Sequence, residues 1–225
     1  MDIELLRSIP LFSELRDEEL SSIARHTVRQ LYKKDNMVLI EEEIGSTMFV
    51  ILDGRVKISR ISDEGREVIL SILCDGDFFG EMAILDGQTR SANAVTLEDT
   101  QMLIIRRENF LQMLYDYPQI SINLLKELAH RLRRSDSQIK SLSLQNALGR
   151  VASTLLRIAD DSGLIKQGQV IISHLPPQQD LANMAGTSRE TISRVIKSLG
   201  QLGYVEKAGS KLTILDYDRF RQDFS

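Results

Sequence analysis

The stretch Phe79-Gly80-Glu81-Met82-Ala83-Ile84-Leu85, followed four residues later by Arg90-Ser91-Ala92, decides how the rest of the chain is read. It is a tight glycine turn, one carboxylate, and an arginine–serine pair that begins nine residues after that carboxylate. Arginine offers a planar fork of donors and serine adds a hydroxyl and a backbone N–H, a combination suited to an anionic phosphate. A glutamate beside a phosphate is repelled by it, so Glu81 needs another partner, and a sugar hydroxyl donating to the carboxylate meets that need. Gly80 lets the backbone approach a ligand with no Cβ in the way. On one Glu and one Arg alone, a surface hairpin carrying an ordinary ion pair explains the residues as well.

The pattern is denser than one pair. F-G-E-x-A-I-L-x4-R-S-A, preceded by turns at Asp53-Gly54 and Asp75-Gly76, resembles the phosphate-binding cassette of the cyclic-nucleotide-binding fold. That resemblance implies Arg90 and Ser91 on the cyclic phosphate and Glu81 on the ribose 2′-hydroxyl, with Gly80, Met82 and Ala83 lining the same ligand.

Outward from the cassette, residues 33–106 carry short apolar runs rich in branched residues: Val38–Ile40, Met48–Leu52, Val56–Ile61, Val68–Leu73, Ala94–Thr96 and Met102–Ile105. Gly45 and the Asp-Gly or Glu-Gly pairs at 53, 64, 75 and 86 punctuate them. Short strands at this spacing predict an antiparallel barrel or sandwich. Ahead of it, residues 1–31 read as helical, with Asp17-Glu18-Glu19 placing acids in a first helical turn. Cys74, at the end of the run Val68–Cys74, reads as a buried strand residue.

After a helix near Arg107–Tyr115, Pro118 opens a long one. Leu125, Leu128, Leu132, Ser135, Ile139 and Leu142 step by three and four, a heptad seam. The seam predicts a parallel homodimer, and packing on another domain of the same chain is the alternative. Ser135 is its only polar member, and a polar group there needs a partner such as a ligand. Arg131, Arg133 and Arg134 read as a solvated flank.

The pattern restarts at Asn146, a good N-cap for a helix through Val151, Leu155 and Ile158. A short strand at Val170–Ile172 precedes two short helices, Pro177–Ala185 and Ser188–Leu199, separated by Gly186-Thr187. Tyr204–Lys207 and Lys211–Leu215 then form a hairpin, which completes a winged helix-turn-helix. Arg189, Glu190, Ser193 and Arg194 share the side opposite Ile192, Val195, Ile196 and Leu199. Arginine forks match guanine O6 and N7, and a carboxylate accepts from cytosine N4. Standing alone, such a helix is an ordinary charged face.

Gly186-Thr187-Ser188-Arg189-Glu190-Thr191-Ile192-Ser193-Arg194 is similar to the recognition helix of the bacterial cyclic-AMP receptor (CRP–FNR) family. With the cassette in front, the resemblance spans essentially the whole chain. It implies an α+β protein in three parts: a cyclic-nucleotide-binding jelly roll at 1–117, a dimerisation helix and hinge at 118–144, and a winged helix-turn-helix at 145–225. It implies Arg189, Glu190 and Arg194 as base readers, and Gln179, Ser188 and Thr191 on phosphates. Ser193 stands where the catabolite activator has glycine and the anaerobic branch a base-contacting serine. On the long helix, the adenine-contacting positions align with Ser135 and Asp136, where cyclic-AMP receptors carry threonine and serine. A carboxylate at 136 accepts from adenine N6 and equally suits the N1–H and N2–H₂ donors of guanine.

The resemblance also implies a choice of sensor chemistry, because the branches of the family differ in it. The single cysteine excludes a disulfide framework and a four-cysteine iron–sulfur cluster. The cassette region carries neither of the axial cysteine and histidine expected of a haem sensor. His26, His130 and His174 are scattered, so no metal site is expected. A cyclic nucleotide remains, with cyclic AMP favoured and cyclic GMP or no effector as alternatives. The 225-residue chain has a net charge of −4. From Leu142 onward it holds ten basic and eight acidic residues, +2, which leaves −6 to the preceding part. An acidic whole with a locally basic second part argues against non-specific DNA coating and leaves room for a basic reading face. No apolar run approaches the roughly 18 residues of a membrane span, and Met1–Arg7 does not read as a signal peptide, so a cytoplasmic protein is expected. No nucleophile–base constellation is present, so an enzyme is not expected. A nucleotide-binding module regulating another protein keeps the cassette but has no use for Arg189, Glu190 and Arg194. DNA, a second copy of the chain and RNA polymerase are the expected partners.

Overall fold

The computed structural model describes residues 3–224, and the chain divides into two compact units, Met1–Leu132 and Arg133–Ser225. The first opens with helices α1 (Ile3–Arg7) and α2 (Asp17–Arg25). Eight strands follow: β1 (Thr27–Tyr32), β2 (Met37–Leu39), β3 (Thr47–Asp53), β4 (Val56–Ile61), β5 (Glu67–Leu73), β6 (Phe78–Phe79), β7 (Asn93–Thr96) and β8 (Thr100–Arg106). Helix α3 (Glu81–Asp86) lies between β6 and β7, and α4 (Arg107–Asp116) leads into α5 (Pro118–Leu144).

The strands form two antiparallel four-stranded sheets, ordered β1-β8-β3-β6 and β2-β7-β4-β5. Alternation along β3 explains its continuous apolar sequence, because both faces of the strand are covered. Phe49 and Ile51 join the core between the sheets, with Val56, Phe79 and Met102. Met48 and Val50 face the other way, into a core shared with Leu6, Phe12, Ile23, Phe110 and Ile120 of the helical segments. β6 bridges the two cores: Phe78 enters the helix-side one, while Phe79 stacks on Phe49 with ring centroids 5.1 Å apart.

Three expectations need correction here. The helical reading to Leu31 runs too far, because Thr27–Tyr32 pairs antiparallel with β8 from Thr27↔Ile105 to Tyr32↔Thr100. The edge pairing overrides the local apolar spacing. Met1 and Asp2, part of that reading, lie outside the described residues. Cys74 is half-buried in the turn just past β5, where its N–H donates to Asp77 Oδ2 at 2.8 Å. Within the seam, Leu128 packs on the helix-side core of its own unit, one and two turns on from Leu124 and Ile120. Leu125, Leu132 and Ile139 stay more than 60% exposed.

The second unit contains α6 (Ala147–Ser162), β9 (Leu164–Lys166), β10 (Gln169–Ile172), α7 (Gln178–Ala185), α8 (Arg189–Gln201), β11 (Val205–Ala208), β12 (Lys211–Ile214) and α9 (Tyr217–Phe224). Asn146 caps α6 by accepting from the Gly149 N–H at 3.0 Å. α7 ends at Gly186, whose φ of 59° closes the helix in the left-handed region and turns the chain towards α8. The apolar side of α8, Ile192, Val195, Ile196 and Leu199, is buried, as are Leu155 and Ala159 of α6 and Leu181 of α7. The sheet order β11-β12-β10-β9 makes the hairpin β11–β12 the wing. The sequence reading had no counterpart for β9 or α9. The latter is fixed by Phe220 and Phe224, which pack around Tyr204 at centroid distances of 5.7 and 5.2 Å.

Candidate functional site

The cassette lies wholly in the first unit. β6 delivers the chain to Gly80, whose φ of 81° is left-handed, and α3 begins at the next residue. Glu81 is therefore the first residue of a helix and not part of a loop. It is 3% exposed. The nine-residue spacing to Arg90 is spanned by α3, a left-handed cap at Gly87 and the exposed segment 87–89.

Arg90 is 5% exposed. Its Nη1 donates to the Gly80 carbonyl and its Nη2 to the Thr47 carbonyl, both at 2.7 Å. A guanidinium has five N–H donors, so the fork keeps donors beyond these two bonds. Among the described residues no carboxylate lies in ion-pair contact with it. Burial lowers its pKa, and the nearby charge of Glu81 opposes that shift. Its main chain is strapped to the turn after β2: Arg90 N–H donates to Glu43 O at 2.8 Å, and Glu42 N–H donates to Arg90 O at 2.9 Å. Glu42 takes a left-handed φ of 69° to make that strap.

Glu81 has a partner that the sequence reading passed over. Arg131 of α5 donates through Nη1 to Glu81 Oε1 at 3.2 Å and through Nη2 to the Phe78 carbonyl at 2.7 Å. Its Nε also holds Glu127 Oε1 at 2.9 Å, and its guanidinium carbon lies 4.5 Å from the centre of the Phe78 ring. Arg131 is thus a structural partner of the cassette, correcting its reading as a solvated flank. Arg134 is not free either, because it pairs with Asp161 at 2.6 Å. Burial drives the Glu81 carboxyl upward in pKa, with Arg131 pulling the other way. Linear sequence carries one clue to Arg131: it stands one helical turn before Ser135, on the same side of α5.

The remaining cassette residues are placed as follows. Ala83 is buried, while Met82 and Ser91 are exposed, with the Ser91 hydroxyl 3.7 Å from Met82 Sδ. Ser135 and Asp136 are exposed on α5. The three histidines are exposed as well, and among the described residues no group of three or more His, Cys, Asp or Glu is arranged to hold a metal ion.

In the second unit, Ser188 caps α8 by accepting from the Thr191 N–H at 3.2 Å. Arg189, Glu190, Ser193 and Arg194 are all exposed, and Thr191 is half-buried beside them. Arg194 Nη2 donates to Thr191 Oγ1 at 3.3 Å, which steadies one of the two forks. The α8 backbone and Ser188 hold Glu190 below the usual carboxylate pKa, so it presents a full negative charge. Gln179, exposed on α7, donates to Asn183 Oδ1 at 3.0 Å. The helix buries one side and offers two guanidinium forks and a carboxylate on the other. That is the donor and acceptor set needed to read base edges in a major groove.

Comparison with known proteins places these two units. Residues 29–117 match the cyclic nucleotide-binding domain, and residues 149–222 match the Crp-like helix-turn-helix domain. A cyclic AMP receptor protein from Thermus thermophilus is 36% identical over 200 residues, which cover 89% of each chain. A CRP-like cAMP-activated global transcriptional regulator from Mycobacterium tuberculosis is 29% identical over 216 residues, 96% of each chain. Among solved structures, a mutant CooA from Carboxydothermus hydrogenoformans shares the fold, with a TM-score of 0.78 and 24% identity over 91% of this chain and 90% of that one. The Thermus thermophilus catabolite activator protein aligns at 32% identity and a TM-score of 0.55, over 95% of this chain and 97% of that one. No helix among the described residues is long and apolar enough to cross a membrane. The chain belongs to the CRP–FNR family of transcriptional regulators, joining a cyclic nucleotide-binding domain to a Crp-like helix-turn-helix DNA-binding domain.

Proposed function

We propose that the protein is a homodimeric transcription regulator switched by a cyclic nucleotide, with cyclic AMP as its effector and a palindromic TGTGA-like operator as its target. The observation that carries the effector half is Arg90, a buried guanidinium that bonds two backbone carbonyls at 2.7 Å and has no carboxylate in ion-pair contact among the described residues. A buried cation so placed favours an incoming anion, and a cyclic phosphate fits beside a carboxylate that takes the ribose hydroxyl. In this reading Arg90 and Ser91 hold the phosphate, Glu81 the 2′-hydroxyl, and Gly80, Met82 and Ala83 line the ligand. Ser135 and Asp136 meet the base, Asp136 from the partner helix.

Residues 1–117 act as sensor, 118–144 as dimerisation helix and hinge, and 145–225 as DNA reader. The exposed Leu125, Leu132, Ile139 and Leu142 supply the dimer seam. The ligand shifts the balance between DNA-competent and incompetent dimers by its differential affinity for the two. Arg189, Glu190 and Arg194 read bases, Ser193 tunes a neighbouring position, and Gln179, Ser188 and Thr191 hold phosphates. RNA polymerase is the downstream partner, the protein acts in the cytoplasm, and no residue is assigned a catalytic role.

Calorimetric titration of the purified protein with cyclic AMP and with cyclic GMP, repeated with operator DNA present, tests the reading. Cyclic AMP is expected to bind more tightly and to strengthen DNA binding. Arg90→Ala leaves the charge of the bound phosphate unpaired, a loss of about 3–5 kcal/mol, and is expected to abolish binding at micromolar ligand. Parent-like binding by that variant overturns the cassette assignment. Asp136 is the observation that favours cyclic GMP as the second reading. Asp136→Ser is expected to keep cyclic AMP binding, and a parent protein preferring cyclic GMP about tenfold (~1.4 kcal/mol) reverses the choice.

A further inference from the structure

We infer that Gly45, in the turn between β2 and β3, is a positioning residue for the phosphate site: its missing side chain is what lets the Arg90 guanidinium lie where it does. The inference rests on the effector reading above and deepens it. A Cβ built on Gly45 falls 2.5 Å from both Nε and Cζ of Arg90 and 2.8 Å from Nη1. Ordinary contact begins at 3.4 Å, so an alanine there drives the guanidinium back by about 0.9 Å.

The same turn holds Arg90 and its neighbour by several further contacts. Ile44 pairs with Thr89 in an isolated antiparallel bridge. Glu42 and Glu43 exchange two backbone hydrogen bonds with Arg90, at 2.9 and 2.8 Å. Two residues past Gly45, the Thr47 carbonyl takes Nη2 at 2.7 Å, with Thr47 Oγ1 at 3.3 Å. Gly80 faces the guanidinium from the cassette side, where a Cβ falls 2.8 Å from Nη1. The arginine therefore threads between two glycines more than 30 residues apart in sequence and is held at its tip by two carbonyls.

The two glycines differ in what they demand. Gly80 has a φ of 81°, so any side chain there strains the backbone as well as the arginine. Gly45 is not among the glycines with positive φ, so alanine suits its backbone. The atoms that an added methyl meets belong to the far end of a flexible side chain, and that end is what yields. Gly45→Ala thus moves the phosphate-binding fork while leaving the fold in place.

The test is calorimetric titration with cyclic AMP, and with cyclic GMP as a second probe, of four full-length proteins: the parent, Gly45→Ala, Arg90→Lys, and the two changes combined. Gly45→Ala is expected to weaken binding about ten- to hundredfold, the loss of one charge-assisted hydrogen bond. Lysine carries Cε and Nζ at those two positions, but its unbranched end is not pinned by a planar fork to the Gly80 and Thr47 carbonyls and can turn away from an added methyl. In the Arg90→Lys background, Gly45→Ala is therefore expected to change affinity less than about twofold. General damage to the turn instead costs the same in both backgrounds, and that result overturns the inference. In the parent background, the Nε–Hε resonance of Arg90, identified by its loss in Arg90→Lys, is expected to shift in Gly45→Ala. Parent-like affinity with an unmoved resonance also overturns it. Arg90→Ala separates this from failure of the effector reading. If Arg90→Ala loses the nucleotide and Gly45→Ala does not, only the positioning role falls. If Arg90→Ala binds normally, the cassette assignment itself falls.

Discussion

Arg131 reaches Glu81 across 50 positions of sequence, placing Nη1 3.2 Å from Oε1 in a carboxylate site that is 3% exposed. The pair is unequal. Arg131 keeps about a quarter of its side chain exposed and has further partners in Glu127 and the Phe78 carbonyl, while Glu81 is almost wholly withdrawn from solvent. Desolvation outweighs the attraction, so the Glu81 carboxyl is raised in pKa despite its cationic neighbour.

The sign of the resulting pH dependence follows. A carboxyl raised in the folded state binds a proton there at pH values where the unfolded chain has released its own. Stability of the ligand-free protein therefore falls as pH rises from the ordinary value of 4.5 through the raised folded value, then levels off. Glu81→Gln removes that fall. Urea midpoints of parent and variant, measured from about pH 4 to pH 8, are expected to diverge in the variant's favour as pH rises. Parallel curves count against a raised Glu81.

Glu42 is exposed and sits at φ 69°, in the left-handed region that glycine enters at no steric cost. Such a residue carries a strain of about 1–3 kcal/mol, offset here by its strap to Arg90. Glu42→Gly is expected to raise stability by about 1 kcal/mol, a shift of roughly 2–4 °C in the thermal midpoint, with nucleotide affinity unchanged. A lower midpoint indicates that the glutamate side chain contributes more than its backbone costs.

Arg157 of α6 presents the opposite problem. Its Nη2 is buried with no hydrogen-bond partner among the described residues. Burial and the nearby charge of Arg134 lower its pKa, with Asp161 opposing them while itself paired with Arg134. An unsatisfied buried donor costs about 1–3 kcal/mol, and an apolar residue of similar length avoids that cost. Arg157→Met is expected to raise the denaturation midpoint of the ligand-free protein, and a fall shows that the guanidinium is better satisfied than the geometry indicates.

For DNA, the proposed base readers and the proposed phosphate contact separate in their effects. Arg189→Ala is expected to relax preference at one G·C pair per half-site, each arginine–guanine contact being worth about 1–3 kcal/mol of discrimination. Gln179→Ala is expected to weaken all sequences about equally. Selection from random duplexes at saturating cyclic AMP and stated salt distinguishes them. A non-palindromic motif, or one lacking the G·C pairs, would falsify the assignment of α8 as reader.

How much was legible follows from where the determinants lie. Gly80, Glu81 and Arg90 fall within one short run, so the resemblance to the cassette could be drawn from local sequence. α8 announced itself through Gly186, Ser188 and the apolar positions Ile192, Val195, Ile196 and Leu199, all local signals. Arg131 and Gly45 were not legible as site residues, because their partners are fixed only when β3, β6 and α5 come together. Thr27–Tyr32 misled for a related reason: its spacing fits a continued helix, and its strand form comes from pairing with β8, more than 65 residues on. α9 has two phenylalanines among charged residues, and their buried side forms only in tertiary contact, with Tyr204 among the partners.

The adjacent rings of Phe78 and Phe79 give the cassette a dynamic character of its own. Because they enter different cores, the residues just before Gly80 can be released only when both cores loosen together. Amide exchange at β6 should follow the slowest, unit-wide openings. The exposed segment 87–89, tied at only a few points, should open by local fraying. The cassette thus joins a fast-exchanging edge to a slow-exchanging root. A ligand that bridges Glu81 and Arg90 slows the edge to the pace of the root, and protection appearing at 87–89 becomes a kinetic record of occupancy.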